Sequence, residues 1–238
     1  MSNVSSVSIR GNEFKLVTRN RSLQLCARMN YETEVLDFID GMASGSIFYD
    51  LGACEGRFSL YAAARGIDVV AFEPERYNLD VLNENIALNE RLPGRIHVMA
   101  VAVGDHNEKR QMNVGQPWEG GHQKVVVQEN LRRDLRFEAS QVQDVEVRRL
   151  DDLLHDGKLP LPTYLKVDID GSELSFLRGA CRTLSRTSVK GVVFEVNKED
   201  DGFSEILASL ASLGWRVKAE YQVPNEPELF NIMLERAW

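Results

Sequence analysis

The sequence predicts an α/β fold in which a mostly parallel seven-stranded sheet, with an antiparallel last strand, carries helices on both faces. Short apolar runs alternate with helix-like stretches through most of the chain, which is typical of parallel βαβ units. The last two strand-like runs follow each other without a helix between them, so the final strand should run antiparallel. A length of 238 residues suits one such domain with at most a small appendage.

The individual elements are predicted from apolar patterning and from the residues that bound each run. Strands are predicted, in chain order, at residues 46–51, 68–73, 95–103, 163–168, 191–196, 215–221 and 229–235. Helices are predicted at residues 32–41, 57–65, 75–89, 172–184 and 203–213. Pro74 is well placed to open the helix at 75–89, and Gly214 to end the helix at 203–213.

The chain is predicted to consist of a helical or extended segment at residues 1–45, which covers the core, and a main domain at 46–238. Residues 106–149 interrupt the alternation of strands and helices with a hairpin-like arm, a glycine-containing loop and a charged stretch. An insertion of this length is too long for an ordinary connection, so we expect a lid or a substrate-recognition element. The alternative is a surface hairpin without a role at the site.

The composition disfavours some classes of partner. A formal net charge of −8 argues against binding to a phosphate backbone, which normally requires a basic excess. Arg132, Arg133 and Arg136 form a local basic cluster, but the acids interleaved with them indicate a solvated helix face. No apolar run approaches the roughly 18 residues that span a bilayer. We therefore expect no nucleic-acid partner and no insertion into a membrane.

The cysteines and the N-terminus predict a reduced, cytoplasmic protein. Cys26, Cys54 and Cys181 are odd in number and widely spaced, which favours neither a disulfide framework nor a zinc site. Residues 1–10 are rich in serine and lack the apolar core of a secretory signal.

The first chemical motif is Asp50-Leu51-Gly52-Ala53-Cys54-Glu55-Gly56, at a predicted turn from strand to helix. Its glycines permit a tight turn, and the following helix offers unpaired N–H groups to a ligand. The glycine spacing of a dinucleotide-binding loop and the Gly-Lys-Ser/Thr of a phosphate-binding loop are both absent. A carboxylate beside this loop would repel a pyrophosphate and suits a ligand with an ammonium group, such as S-adenosylmethionine.

The second motif is Glu73, which ends the second predicted strand. A carboxylate there can accept hydrogen bonds from both hydroxyls of a ribose. Asp50 and Glu73 should meet at the carboxyl edge of the sheet, where ligands bind in open α/β folds. Each acid alone could instead cap a helix. A nicotinamide-dependent oxidoreductase would share Glu73 but requires the missing glycine spacing.

The third motif is Lys166-Val167-Asp168-Ile169-Asp170-Gly171-Ser172-Glu173-Leu174, which joins the fourth strand to its helix. Together with the two earlier motifs, and in the same order along the chain, it resembles the FkbM family of methyltransferases. The resemblance extends over roughly residues 46–215. Further matches are Asn85, Asn89, Ala102-Val103-Gly104-Asp105, Leu150-Asp151-Asp152, Leu177, Gly179 and Ala180.

The resemblance implies a Rossmann-like class I methyltransferase that uses S-adenosylmethionine to methylate a hydroxyl of a sugar, polysaccharide or secondary metabolite. The predicted cofactor contacts are Asp50, Gly52, Ala53, Gly56, Glu73, Pro74, Ala102 and Asp168. Two residues depart from the family pattern, because Cys54 stands where asparagine is usual and Asp170 where glutamate is more common. Cys54 is expected to be a small residue beside the cofactor, the alternative being a reactive thiol at a helix N-terminus.

A hydroxyl acceptor benefits from a general base at the carboxyl edge of the sheet. Asp168 is our first candidate and Glu195 the second, while His122 could reach in from the insertion. Asp168 could instead serve only to bind backbone groups. Lys166 should point to the same side of its strand as Asp168 and pair with an acid there.

No metal is predicted. Mg²⁺ held by Asp168, Glu195 and Asn197 is an alternative, but the family resemblance does not imply one.

The sequence indicates less about the identity of the methyl acceptor. Its specificity is expected to lie in residues 106–149 and in the N-terminal segment, where Trp118 and His122 could bind a sugar ring. A protein that binds S-adenosylmethionine without catalysing transfer is the alternative, and the oligomeric state stays open.

Overall fold

The computed structural model describes residues 3–127 and 137–237. The strands are β1 (Val4–Ile9), β2 (Asn12–Val17), β3 (Ile47–Leu51), β4 (Asp68–Phe72), β5 (Ile96–Met99), β6 (Ala102–Val103), β7 (Glu108–Val114), β8 (Lys124–Val126), β9 (Gln141–Arg148), β10 (Tyr164–Val167), β11 (Gly191–Asn197), β12 (Trp215–Gln222) and β13 (Leu229–Arg236). The helices are α1 (Arg21–Cys26), α2 (Thr33–Asp40), α3 (Arg57–Ala64), α4 (Arg76–Ala87), α5 (Leu150–His155), α6 (Glu173–Gly179), α7 (Cys181–Leu184) and α8 (Phe203–Ser212). The cluster of Arg132, Arg133 and Arg136 lies outside the described residues.

The main sheet has seven strands in the order β12-β13-β11-β10-β3-β4-β5. Strand β13 runs antiparallel to both of its neighbours, whereas β11, β10, β3, β4 and β5 pair in parallel. The predicted seven-stranded sheet with an antiparallel last strand is therefore confirmed. Strands β3 and β10 are adjacent at the centre, so the loops that leave their carboxyl ends meet.

The two faces of this sheet support two separate cores because side chains alternate along each strand. Tyr49 and Leu51 pack on one face with helices α5 to α8, while Phe48 packs on the other face with α2 and α3. The continuous apolar runs in the sequence reflect this burial on both faces. Within the described residues, no helix has both the length and the apolar character needed to cross a membrane.

The prediction of one strand at residues 95–103 was wrong. The chain leaves the main sheet after β5, and β6 pairs with β9 in a second, four-stranded sheet of order β6-β9-β7-β8. This smaller sheet has its own core of Met112, Val114 and Val147, with Ala102, Val126 and Val145. The apolar pattern of a strand is the same whether the strand pairs with one neighbouring strand throughout or changes its neighbour partway. The local sequence therefore did not indicate the break between β5 and β6.

The helix predicted at 172–184 was also wrong, because it divides at Ala180 into α6 and α7. The backbone amides of Arg182 and Thr183 donate to the Asp151 carboxylate at 2.9 and 2.8 Å, which gives α7 its own start. Gly179 lies so close to the chain at Gly104 that a Cβ would come 1.8 Å from its carbonyl oxygen. The break thus follows from contacts with distant segments.

The N-terminal segment contains more structure than the single predicted helix. Helix α2 is confirmed, but α1 and the β1–β2 hairpin were not predicted. The hairpin turns at Arg10 and Gly11, both with positive φ, as a two-residue loop of type I′ requires. The buried Asn85 of α4 accepts from the Val17 amide and donates to the Glu55 carbonyl, both at 2.8 Å. Asn85 therefore joins the hairpin to the loop before α3.

Replacing Asn85 with alanine should destabilise the protein by about 2 kcal/mol, because a buried donor and a buried acceptor both lose their partner. Asn89→Ala is the matched control, since Asn89 is only half-buried and binds the amide and the carbonyl of Lys15, on the same strand, through exposed hydrogen bonds. We expect its cost to be about 1 kcal/mol or less, measured for both variants by urea unfolding. An equal loss in the free energy of unfolding for both variants would show that burial of Asn85 does not determine the size of its contribution.

Candidate active site

A cavity of about 720 Å³ opens at the carboxyl edge of the main sheet, beside the loops that follow β3, β4 and β10. Its volume lies within the range of small-molecule sites. Six of the eight predicted cofactor contacts line it, namely Gly52, Ala53, Glu73, Pro74, Ala102 and Asp168. The second predicted catalytic residue, Glu195, and His122 of the insertion line it as well. The structure thus brings the separate sequence motifs together around one space.

Asp50 and Gly56 do not line the cavity but support the loop that does. Asp50 is 1% exposed, and its Oδ2 accepts from the Ser59 hydroxyl at 2.7 Å. Its Oδ1 has no hydrogen-bond partner within residues 3–127 and 137–237 and lies 3.7 Å from Lys166 Nζ. Burial raises the pKa of Asp50, and the Lys166 charge opposes that shift. The predicted contact between Asp50 and an ammonium group stays a prediction.

The loop from Gly52 to Gly56 is a tight turn held against the neighbouring strand. The amides of Gly52 and Ala53 both donate to the Phe72 carbonyl at 3.0 Å. Gly52 and Gly56 have φ of +81° and +89°, where glycine is favoured. A Cβ on Gly56 would lie 2.4 Å from Leu82 of α4, so the helix packs closely on the loop.

Glu73 reaches from the end of β4 into the cavity and connects the loops on either side. Its carboxylate accepts from the amide of Cys54 at 2.9 Å and from the amide of Glu75 at 2.8 Å. Burial raises the pKa of Glu73 to about 7, and the charge of Lys124 opposes the shift. Each carboxylate oxygen keeps a further lone pair, so Glu73 can still accept hydrogen bonds from a ligand.

Three carboxylates converge on the other side of the cavity. Oxygen atoms of Glu32, Asp168 and Glu195 all lie within 4.8 Å of one another. Lys166, 2% exposed, lies 2.9 Å from Asp168 Oδ2, which confirms that Lys166 pairs with an acid on its own side of the strand. Burial opposes the charge on Lys166, but the neighbouring carboxylates outweigh burial and raise its pKa. The spacing of the acids would suit a cation, but Lys166 already supplies positive charge, and we assign no metal to them.

Glu32 and Arg57 also line the cavity, and neither was predicted from the sequence. Their side chains form a buried ion pair, and the Arg57 guanidinium also lies 4.1 Å above the centre of the Tyr31 ring. Arg57 is the first residue of α3, directly after the glycine loop. Glu32 comes from the N-terminal segment, so only the tertiary fold brings the two together.

The inserted sheet lies over the same cavity and is held there by buried polar contacts. Lys124 Nζ donates to Glu75 at 2.8 Å, in a pair of side chains that are 7% and 1% exposed. Asn78 accepts from the Gly120 amide at 2.9 Å and donates to the Gly121 carbonyl at 3.3 Å. These contacts explain why residues 120–124 line the cavity. Lys124 stands in no motif that would have indicated its place.

Of the two residues predicted to bind a sugar ring, His122 lines the cavity but Trp118 does not. Trp118 is 45% exposed, and its indole N–H donates to Ser22 Oγ at 3.2 Å. Cys54 lines the cavity, and burial raises the pKa of its thiol well above the ordinary value. This favours the interpretation of Cys54 as a small neutral residue over that of a reactive thiolate.

The residues present fit S-adenosylmethionine. Ser172 Oγ and Glu55 Oε1 are buried, belong to residues that line the cavity and have no hydrogen-bond partner among the described residues, although Glu55 Oε1 lies 4.0 Å from the Arg57 guanidinium. Buried polar atoms are normally satisfied by protein, water or ligand, so these two atoms indicate a polar ligand. The glycine loop would hold the cofactor, and Glu73 would accept hydrogen bonds from its ribose. The carboxylates near Asp168 lie on the other side of the cavity.

Comparison with known proteins gives one family. Residues 50–217 match the model of the methyltransferase FkbM domain. The chain is 32% identical over 165 residues to methyltransferase sdnD of Sordaria araneosa, an alignment that covers 59% of this chain and 62% of that protein. It is 28% identical over 198 residues to the 31-O-demethyl-FK506 methyltransferase FkbM of Streptomyces tacrolimicus, covering 74% of this chain and 75% of that protein. The chain therefore spans less than two thirds of sdnD.

Among solved structures, methyltransferase FkbM from Methylobacillus flagellatus KT superposes with a TM-score of 0.51 at 21% identity. The match covers 79% of this chain and 43% of the other. At this identity the likeness shows a shared fold and nothing about the acceptor.

Proposed function

The chain belongs to the FkbM family of methyltransferases, and from this premise we propose that it transfers the methyl group of S-adenosylmethionine to a hydroxyl oxygen. Its fold is the class I methyltransferase fold. The acceptor we propose is a sugar, polysaccharide or secondary metabolite, in keeping with a relative named for its action on 31-O-demethyl-FK506. The observation that carries the proposal is the cavity with Glu73 and the glycine loop on one side and the carboxylates near Asp168 on the other.

In this proposal, the protein contributes mainly binding and alignment. S-adenosylmethionine supplies a methyl group on a positively charged sulfur, which is a good leaving group. Glu73 would accept hydrogen bonds from the ribose, and the loop from Gly52 to Gly56 would hold the cofactor. The acceptor oxygen must lie in line with the methyl carbon and the sulfur, so positioning supplies much of the rate. Asp168 and Glu195 stand at the edge where that oxygen would approach.

The acidic balance of the chain supports a small-molecule or glycan acceptor in preference to a nucleic acid. A cytoplasmic location remains our prediction. The alternative that the protein binds the cofactor without using it is weakened by the intact carboxylates in the cavity. A nicotinamide-dependent oxidoreductase is disfavoured by the glycine spacing of the loop.

The test is calorimetric titration with S-adenosylmethionine and, in parallel, with NAD, followed by transfer of a radiolabelled methyl group. We expect S-adenosylmethionine to bind and NAD not to bind. Transfer would be assayed with 31-O-demethyl-FK506, methyl α-D-glucopyranoside and a panel of hydroxylated metabolites. The labelled product should resist mild base, because an ether survives conditions that hydrolyse a methyl ester. Binding of NAD alone would overturn the proposal, and binding without transfer would favour the non-catalytic alternative.

A further inference from the structure

Glu55 and Arg57 lie at the end of the glycine loop, on either side of Gly56, and both line the cavity. Glu55 Oε1 and Arg57 Nη1 are 4.0 Å apart, which is too far for a hydrogen bond. The two charges attract each other at this distance, but neither side chain satisfies the hydrogen-bonding groups of the other. A carboxylate and a guanidinium therefore stand side by side at the loop that would hold the cofactor.

Glu55 presents an acceptor that the protein does not use. The residue is 3% exposed, and its Oε1 has no hydrogen-bond partner in the part of the chain that the structure describes. Its backbone is fixed, because the Glu55 carbonyl accepts from Asn85 and the preceding amide, that of Cys54, donates to Glu73. A buried carboxylate oxygen without a donor is costly, so this atom indicates a ligand that donates hydrogen bonds, such as an ammonium group.

The guanidinium of Arg57 is held in one orientation and keeps donors for a ligand. Its Nη2 is paired with Glu32, and the group lies 4.1 and 4.5 Å from the centres of the Tyr31 and Phe58 rings. A guanidinium carries five N–H groups in a rigid plane, so the pairing with Glu32 leaves further donors. This planar fork matches the two oxygens of a carboxylate.

The position of Arg57 in α3 also favours an anionic ligand. Arg57 is the first residue of α3, where the positive end of the helix dipole repels a cation. The first turn of α3 contains no acidic residue, and Gly56 at the N-cap makes no side-chain bond to the first amides. Glu32 offsets part of this repulsion, and a bound carboxylate would offset more. The helix end and Arg57 thus attract the same kind of group.

The place of these two side chains relative to Glu73 fits the amino-acid half of the cofactor. Glu73 would bind the ribose, and it also accepts from the amide of Cys54, the residue before Glu55. In S-adenosylmethionine the amino-acid half is joined to the ribose through a single sulfur atom, so its charged groups must lie near the ribose site. An amino-acid zwitterion offers an ammonium group to Glu55 and a carboxylate to Arg57, so each buried charge gains an opposite charge.

We propose that Glu55 and Arg57 together bind the amino-acid half of S-adenosylmethionine. Glu55 accepts hydrogen bonds from the ammonium group, Arg57 donates to the carboxylate, and Glu32 orients the guanidinium. This assignment rests on the proposed function. Glu55 thereby takes the direct contact that the motif alone suggested for Asp50, which does not line the cavity. Both are binding residues, and neither takes part in the transfer of the methyl group.

The first test uses the wild-type protein and needs no acceptor. Calorimetry compares S-adenosylhomocysteine with its analogues that lack the carboxylate or the amino group, and with 5′-methylthioadenosine, which lacks the amino-acid half. We expect the loss of either charged group to lower affinity by about 10-fold or more. Equal affinity for all of these ligands would overturn the proposal, because the amino-acid half would then make no net contribution to binding.

The second test pairs each variant with the ligand that lacks the matching group. Arg57→Gln should bind S-adenosylhomocysteine about 10-fold or more weakly, but the decarboxylated analogue nearly as well as the wild type does. Glu55→Gln should behave in the same way towards the deaminated analogue. Arg57→Lys keeps the charge without the fork and should recover part of the affinity. The matched controls are Arg65→Gln, at the other end of α3, and the exposed Glu90→Gln.

A further variant separates binding from folding. Arg57→Gln leaves the buried Glu32 charge without its partner, which destabilises the protein. The comparison is therefore repeated in a Glu32→Gln background, where no such charge remains, and melting temperatures and the affinity for 5′-methylthioadenosine show whether the cavity is intact.

The outcomes distinguish this proposal from the proposed function. If removal of the ligand carboxylate weakened binding equally with and without Arg57, another group would bind it and the role of Arg57 would be overturned. The same result for the amino group with Glu55→Gln would overturn the role of Glu55. Both results would leave the proposed function intact. A wild-type protein that binds neither S-adenosylmethionine nor 5′-methylthioadenosine would overturn the proposed function itself.

Discussion

Replacing Gly52 with alanine is expected to destabilise the protein more than any other single methyl addition in the cofactor loop. The new Cβ would lie 1.7 Å from the Asp168 carbonyl oxygen and 2.9 Å from its carbon. Both are backbone atoms at the carboxyl end of the adjacent central strand, so neither can move without disturbing the sheet. The left-handed φ of +81° adds a cost of its own.

These effects sum to about 2–5 kcal/mol, of which about 1–2 kcal/mol comes from the backbone conformation and about 1–3 kcal/mol from the overlap. Gly11→Ala separates them, because Gly11 has φ of +78° but a methyl group added there would meet no atom of the described part of the chain within 4 Å. Urea unfolding should show a loss at Gly11 of about 1–2 kcal/mol alone. If both variants lost the same stability, the close approach of the loops after β3 and β10 would not be the reason that position 52 requires glycine.

Replacing Glu73 with glutamine is expected to cause the largest loss of cofactor affinity. In the proposed site the carboxylate accepts from the ribose, and hydrogen bonds to a charged group contribute about 1.5–3 kcal/mol each. Two such bonds correspond to a loss of affinity of at least about 100-fold. The amide also leaves the Cys54 or Glu75 N–H without an acceptor, so a lower melting temperature should accompany the loss.

The pH dependence of S-adenosylmethionine binding is an independent test of the role of Glu73. Its pKa in the free protein is raised to about 7, and the ionised form is the better acceptor, so affinity should rise as pH increases through neutrality. Calorimetry at about pH 6 and about pH 8 measures this rise in the wild type, in Glu73→Gln and in the exposed control Glu90→Gln. The α-amino group of the ligand titrates equally in all three. A rise of equal size in Glu73→Gln would show that another group is responsible.

The features that could be predicted from the sequence are those that short stretches of chain determine. The strands of the main sheet are apolar enough to be recognised one by one, and the terminal hairpin follows from the absence of a helix. The loop at Gly52 and the acid at Glu73 occur at strand ends, so the parallel sheet brings them together. Gly52, Glu73 and Asp168 follow from this rule, whereas Ala102 was expected from the family resemblance.

The features that were missed depend on contacts between distant segments. The break after Met99 depends on β9 as an alternative partner, and the break at Ala180 on Asp151. Glu32 shows no motif, because its place in the cavity results from the packing of α2 and from its contacts with Arg57 and Asn231. An amphipathic segment before the first central strand is too common a pattern to reveal such a role.

The contact between Glu32 and Asn231 also bears on how the protein acquires its site during folding. The two residues are 199 positions apart, on opposite sides of the central strands in the sequence. Contacts of such long range form late, because closing a long loop costs entropy before the contact can repay it. A chain emerging from the ribosome can therefore complete the glycine loop well before β13 arrives to orient Glu32. The site therefore depends on both ends of the described chain. A nascent intermediate could already have formed the loop from Gly52 to Gly56 and would still lack the contact between Glu32 and Asn231.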